Sequence, residues 1–206
     1  MLKVKPATGN KIVALTFDDG PDDVNTPKIL KILEENGVKA TFFEMGSQVK
    51  KHPDLTRELV AAGMVVGNHS YSHPDLKRIS TAAGEADIRR AQNAITSAAG
   101  SAPRYFRPPG GVMTTALMPV IAAMGLTKVM WTSDTYDWND PPSIAIVHRA
   151  LKRARDGGVI LMHDGGGDRA RTIAALPLVI RALKAEGYTM VTVDKLKRLP
   201  QKLGGF

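Results

Sequence analysis

The sequence predicts an α/β fold built on a parallel sheet, and three observations carry that expectation. Short apolar runs closed by turn residues recur along the chain, and helical patterns fill the intervals between them. Seven such strands over 206 residues give about 29 residues per unit, close to a βαβ repeat, and that alternation means parallel pairing. No Pro/Gly/Ser linker, low-complexity stretch or tandem repeat divides the chain, so one domain is expected.

Taken in order, the strand candidates are residues 12–17, 40–43, 64–67, 104–107, 128–131, 159–162 and 188–193. Each is a run of β-branched, aromatic or long aliphatic residues fit to be buried in a sheet. The first helix is expected to start with Thr26 as N-cap and Pro27 at the first helical position, and to stop at Gly37. Further helices are read over 53–62 before Gly63, 81–99 before Gly100, 114–124 before Gly125, 143–156, and 172–186 before Gly187. Periodicity alone leaves two closures open, an irregular (β/α) barrel or an open doubly wound sheet. Both place function at the carboxyl ends of the strands.

Composition narrows the chemistry. Hydrophobic residues make up 43% of the chain and charged residues 23%, the proportions of a folded globular protein. A chain this long buries roughly 70% of its extended surface, so a metal would be functional and not a folding staple. There is no cysteine, which removes thiol nucleophiles, thiolate zinc fingers, iron–sulfur clusters and disulfide scaffolds. No run approaches a membrane span, and the first residues carry no apolar signal core. Lys and Arg outnumber Asp and Glu by 28 to 20, a net +8, which suits nucleic acid, anionic lipid or an anionic wall without choosing among them. The densest basic run, residues 148–155, reads as a solvated helix face.

The unusual residues fall directly after the strands. Asp18 and Asp19 follow the first, His69 and His73 the third, Arg107 closes the fourth, Asp134, Asp137 and Trp138 follow the fifth, and His163 closes the sixth. In a parallel α/β fold these ends converge on one face, so an active site is expected there. Two histidines four apart can meet one ion, and one of two adjacent aspartates can complete a set of two imidazoles and a carboxylate while the other stays free as a base. Arg107 leaves a buried strand and needs a carboxylate partner. His52 and His148 read as surface residues. Gly165-Gly166-Gly167 lacks the Lys-Ser/Thr of a phosphate loop, and a flexible loop suffices there. Neither a Gly-x-Ser-x-Gly elbow nor a His-Glu-x-x-His motif is present.

Thr16-Phe17-Asp18-Asp19-Gly20-Pro21, His69-Ser70-Tyr71-Ser72-His73, Arg107-Pro108-Pro109, Asp134-x-x-Asp137-Trp138 and Leu161-Met162-His163 together resemble, in order, the motifs of the polysaccharide deacetylases, carbohydrate esterase family four. The resemblance implies a distorted (β/α) barrel of about seven parallel strands, with residues 11–199 as the catalytic domain, 1–10 as an extension and 200–206 as a tail. It implies one divalent metal, zinc before cobalt or nickel, and removal of acetyl groups from N-acetylglucosamine polymers such as chitin or peptidoglycan. Asp19, His69 and His73 would be the ligands, Asp18 the general base held by Arg107, and His163 the general acid oriented by Asp137. Leu161 and Trp138 would line the acetate methyl pocket. The family usually has an aromatic residue after the two prolines, where this chain has Gly110; its backbone N–H can still donate to an oxyanion.

By the same resemblance the protein is secreted or in the cell envelope, although this chain has no signal peptide. A monomer is expected, acting on an acetylated polysaccharide, with no nucleic acid partner and no membrane span. Two other readings stay open: an O-acetyl esterase on xylan, which would use the same groups, and an inactive carbohydrate-binding or nucleic-acid-binding module, against which the intact base, ligands and acid argue.

Overall fold

The computed structural model describes residues 11–201; the expected 1–10 extension and all but two residues of the 200–206 tail lie outside the described residues. Strands β1 (Lys11–Asp18), β2 (Thr41–Glu44), β3 (Val65–Asn68), β4 (Tyr105–Phe106), β5 (Thr127–Lys128), β6 (Ser133–Asp134), β7 (Gly158–His163) and β8 (Tyr188–Met190) form one sheet. The helices are α1 (Asn25–Glu35), α2 (Gly46–Lys51), α3 (Pro53–Ala61), α4 (Thr81–Ala99), α5 (Leu117–Ala123), α6 (Ser143–Lys152) and α7 (Ala170–Ala185). Every strand pair is parallel. The order β5-β4-β3-β2-β1-β7-β6 puts seven strands on one curled path, with β8 added beside the start of β1. This is the distorted (β/α) barrel that the sequence led us to expect. Val13 pairs with Gly158 on one edge and Met190 on the other, so β8 and β2 share an edge of β1 in succession.

Alternation along the strands sorts the core from the site. On β1, Val13, Leu15 and Phe17 face the helices and join Ile29, Leu33, Phe42, Ile160, Met162, Val179 and Ile180 in the main core. Phe17 stacks on Phe42 with ring centres 5.1 Å apart, and burying each ring is worth about 1.5–3 kcal/mol. The other face, Ala14, Thr16 and Asp18, looks into the half-barrel. There an inner cluster of Ala14, Phe43, Val129, Val159 and Val193 fills the lower part, and polar groups take over toward the carboxyl ends.

Several local readings change. The expected strand over 128–131 divides into β5 and β6: Val129 and Trp131 pack into the inner cluster, with Val129 N–H donating to Phe106 O at 2.8 Å at the end of the β4–β5 pairing. Met130 N–H donates to Pro200 O at 2.8 Å across the open seam. Thr26 is not the cap of α1. Asp22 accepts the N–H groups of Val24 and Asn25, and the Thr26 hydroxyl donates instead to Asp164 Oδ2 at 2.6 Å. The helix over 143–156 stops at Lys152, so Arg153 and Arg155 leave the expected helix face. By contrast α4 spans its expected residues, capped by Ser80, which accepts from Ala83 N–H, and closed by left-handed Gly100 at φ 75°.

Candidate active site

Register places the two groups of interest side by side. Asp18 pairs with His163 across β1 and β7, and two-residue alternation turns both side chains into the half-barrel with Thr16 and Leu161. Arg107 follows β4 and is fully buried. Its Nη1 donates to Asp18 Oδ1 at 2.7 Å and to Thr16 Oγ1 at 2.9 Å, and its Nε donates to Val129 O at 3.2 Å. The guanidinium lies 4.1 Å from the Phe43 ring centre and 5.6 Å from that of Trp131, which suits a weakly hydrated planar cation. Burial pulls the Arg107 pKa down, and the Asp18 charge opposes that fall. Thr16 can accept from Arg107 because its own proton goes to Ile160 O at 2.8 Å.

Asp19 turns the other way. It sits in the left-handed region at φ 77°, and its Oδ1 lies 3.4 Å from His69 Nε2 and 3.5 Å from His73 Nε2. His69 Nδ1 is 2.8 Å from Arg107 O; a carbonyl only accepts, so Nδ1 carries the proton and Nε2 presents a lone pair. Burial lowers the His69 pKa, with His73 adding to the fall and Asp18 and Asp19 opposing it, which favours the neutral ring a ligand must be. Ligand atoms of Asp19, His69 and His73 lie within 4.8 Å of one another. Asp19 Oδ1 is buried without a hydrogen-bond donor among the described residues, an arrangement costing about 1–3 kcal/mol if left so. Two imidazoles and a carboxylate around that oxygen fit a divalent ion of the zinc, cobalt or nickel type, with coordination positions left over.

His163 belongs to a different network. Its Nδ1 is 2.7 Å from Asp137 Oδ1, and its backbone N–H donates to Asp137 Oδ2 at 2.8 Å. Thr172 Oγ1 donates to the same Oδ2 at 2.8 Å. Burial pulls His163 down, but the hydrogen bond and charge of Asp137, with Asp18 and Asp19, outweigh it and bring the pKa up to about 9. Asp137 moves the opposite way: burial pushes it up, and His163 and Thr172 hold it below the ordinary carboxylate value. The pair is therefore an ion pair at neutral pH.

Around these groups the other expected residues take their places. Leu161 is buried on β7. Trp138, in the short turn after Asp137, is 52% exposed on the rim, its ring 6.0 Å from that of Tyr136. Gly110 holds φ 58° in a tight turn after the prolines, a conformation that disfavours an aromatic residue there. Asp134 lies close enough for the charges of His163 and Asp18 to act on it, and burial raises its pKa.

Gly165 is not a flexible element. A Cβ there would fall 2.2 Å from Asp19 O, and Arg169 donates to the carbonyls of Gly165 and Gly166, so the glycines let two loops meet beneath the ligands. Gly165→Ala is expected to destabilise the fold by about 1–3 kcal/mol, seen as a lower denaturant midpoint at unchanged slope.

Sequence reading missed Thr16, Thr172 and the buried pair Glu44 and Asp164. Thr16 stands two residues before Asp18, so strand alternation could have found it. Burial raises the Glu44 pKa to about 8 and that of Asp164 to about 7, and both stand at the ends of expected strands, 40–43 and 159–162, where the rule that picked out Asp18 could have found them.

Known proteins resemble the chain over most of its length. A family model described as polysaccharide deacetylase matches residues 5–129. A peptidoglycan-N-acetylglucosamine deacetylase of Bacillus cereus is 37% identical over 190 residues, 91% of this chain and 89% of that protein. A chitooligosaccharide deacetylase of Sinorhizobium fredii is 38% identical over 208 residues, 96% of this chain and 94% of that one. Other relatives are longer, and the chain spans 40% of the length of one of them. The solved structure of a family 4 carbohydrate esterase from Streptomyces lividans in complex with acetate matches with a TM-score of 0.84 at 40% identity, over 94% of this chain and 98% of that one. With more than half its length matched by the family model and relatives of this identity aligned nearly end to end, the chain belongs to the polysaccharide deacetylase family.

Proposed function

We propose that the protein removes acetyl groups from N-acetylglucosamine-containing polysaccharides by metal-assisted hydrolysis, with residues 11–199 as the catalytic unit. One observation carries this reading: adjacent aspartates have opposite partners, Asp18 a buried arginine and Asp19 two histidine Nε2 atoms. Asp19, His69 and His73 would hold the ion, zinc by the donor set. When bound it supplies Lewis-acid polarisation of the acetyl carbonyl and a more acidic water.

Asp18, held by Arg107, takes the proton of the attacking water. The negative charge that develops on the carbonyl oxygen meets the backbone N–H at Gly110, a donor that needs no reorganisation. Amines are poor leaving groups unless protonated, and His163, cationic beside Asp137, gives the proton. Leu161 and Trp138 bound the acetyl methyl group. The relatives' names favour an N-acetylglucosamine polymer over acetylated xylan, and a substrate in or outside the cell envelope. Among the described residues no helix is long and apolar enough to cross a membrane.

The test is acetate release from chitooligosaccharides, peptidoglycan and acetylated xylan with metal content measured alongside. Chelation is expected to abolish release and zinc or cobalt to restore it, with kcat/KM higher on an N-acetylglucosamine polymer than on xylan. Full activity of metal-free protein would overturn the reading.

A further inference from the structure

We propose that Asp87, on α4 and outside every motif of the site, is a positioning residue that holds the 69–73 loop in its ligand-bearing shape; this rests on His69 and His73 being ligands. The loop needs holding. Ser70 at φ 65° and His73 at φ 56° both occupy the left-handed region, which residues with a side chain enter reluctantly. Inside the loop, Asn68 Oδ1 accepts from Ser70 N–H at 2.8 Å and Ser70 Oγ accepts from His73 N–H at 3.1 Å. Both bonds curl the backbone, and the first reaches α4 through Asn68, whose Nδ2 donates to Ile88 O at 3.1 Å and to Gln92 Oε1 at 3.0 Å.

The external ties come from two helices and meet the loop from opposite polarity. The N–H groups of Gly46 and Ser47, at the start of α2, donate to the carbonyls of Ser70 and Tyr71 at 2.9 and 3.1 Å. Asp87 then takes the donors: its Oδ1 accepts the N–H of Tyr71 at 2.7 Å and of Ser72 at 3.3 Å, and its Oδ2 accepts the Ser72 hydroxyl at 2.6 Å. Arg90, one helical turn on, lays its guanidinium 3.6 Å from the Tyr71 ring centre. Among the described residues Asp87 makes no ion pair, so both its oxygens serve the loop. Among the described residues the amides of Tyr71 and Ser72 are both held by this one carboxylate, while that of Ser70 goes to Asn68.

A ligand pair held ready by such contacts binds an ion without first ordering the loop, and partners of this kind change metal affinity by roughly 10–100-fold. The experiment titrates metal-free full-length protein with zinc alone, by competition with a chromophoric chelator. Asp87→Ala is expected to bind zinc 10–100-fold more weakly than wild type, with folding verified by circular dichroism. Asp87→Asn keeps an oxygen for the two amides and an N–H₂ that the Ser72 hydroxyl can accept, so it should stay within about threefold. In metal-free wild type the amides of Tyr71 and Ser72 should exchange at least tenfold more slowly than in an unstructured peptide, a measurement that needs no variant. Unchanged zinc affinity in folded Asp87→Ala, an equal loss in Asp87→Asn, unprotected amides, or no zinc binding by wild type would each overturn the proposal. No substrate enters these measurements, so a failed deacetylase reading leaves their outcomes unchanged.

Discussion

Asp18→Asn is expected to lower kcat for acetate release by a factor of roughly 10² or more while zinc affinity stays near that of wild type. Asp19→Asn should do the reverse, weakening zinc binding first and losing activity as a consequence. The two residues are neighbours in one motif, so any account based on turn chemistry treats them alike. Their partners do not allow that. Asp18 Oδ1 is held by Arg107 Nη1 at 2.7 Å, while its Oδ2 lies 3.8 Å from His69 Nε2. Asp19 Oδ1 is the atom that both histidines face. An amide at 18 keeps size and an acceptor for the guanidinium but cannot take a proton from water, whereas an amide at 19 removes the charge that a cation would meet. The substitution at 18 has a second consequence. Arg107 is fully buried, and removing the charge of its partner costs up to about 3–5 kcal/mol, tempered here because Thr16, Val129 O and two aromatic faces still receive the guanidinium. Against a typical stability of about 5–15 kcal/mol, the variant should remain folded with a lowered Tm. Zinc titration of both variants beside single-turnover acetate release decides the matter. Equal loss of zinc affinity in the two, or retained turnover in Asp18→Asn, would show the division of roles to be wrong.

The residues that converge were legible because of where they stand. Polar groups at the ends of apolar runs have no reason to be there unless the ends meet, and Asp18, Asp19, His69, His73, Arg107, Asp137 and His163 all follow that rule. Apolar runs report burial, not pairing. Val129, Met130 and Trp131 are apolar because they pack at the seam of the half-barrel, where Met130 N–H finds Pro200 instead of a strand. Helix α2 went unread since its six residues carry a single apolar side chain, Val49. The Thr26-Pro27 start was misplaced because the hydroxyl that suits a cap suits Asp164 equally well, and Asp164 is 138 residues away. Asp87 was within reach: half-buried, it borders the inward stripe of Gly84, Ile88, Ala91 and Ile95 on α4, and an acid at that edge wants a donor. Which donor it finds depends on a loop whose shape no local pattern specifies.

Asp137→Asn is expected to lower kcat at pH 8 by roughly 10²–10⁴ and to move the basic limb of the pH profile down by more than one unit. As general acid, His163 works only while protonated, so activity falls as pH rises through its pKa. Burial alone would pull that value below 6.5; Asp137 first, with Asp18 and Asp19, carries it up to about 9. An amide cannot reproduce the arrangement in either orientation. With its oxygen toward His163 Nδ1, its N–H₂ confronts the His163 backbone N–H, a donor against a donor. Flipped, the N–H₂ faces Nδ1 and favours the neutral ring with its proton on Nε2, the wrong state for an acid. Thr172 can rotate its hydroxyl to suit either case and rescues neither. The same pair leaves a mark on stability. A histidine whose folded pKa exceeds its unfolded value of 6.5 contributes stability that is complete below pH 6.5 and is lost as pH rises toward 9. Metal-free wild type should therefore become easier to denature between pH 6.5 and 9, and Asp137→Asn should lose less stability over that window, keeping only the loss that buried Glu44 and Asp164 impose as they ionise near 8 and 7. The kcat profile of the zinc-loaded enzymes and denaturant midpoints of the metal-free ones supply independent readings of one ion pair. A basic limb unmoved by the substitution would remove His163 from the role of acid, and parallel midpoint curves would show that Asp137 does not hold its charge.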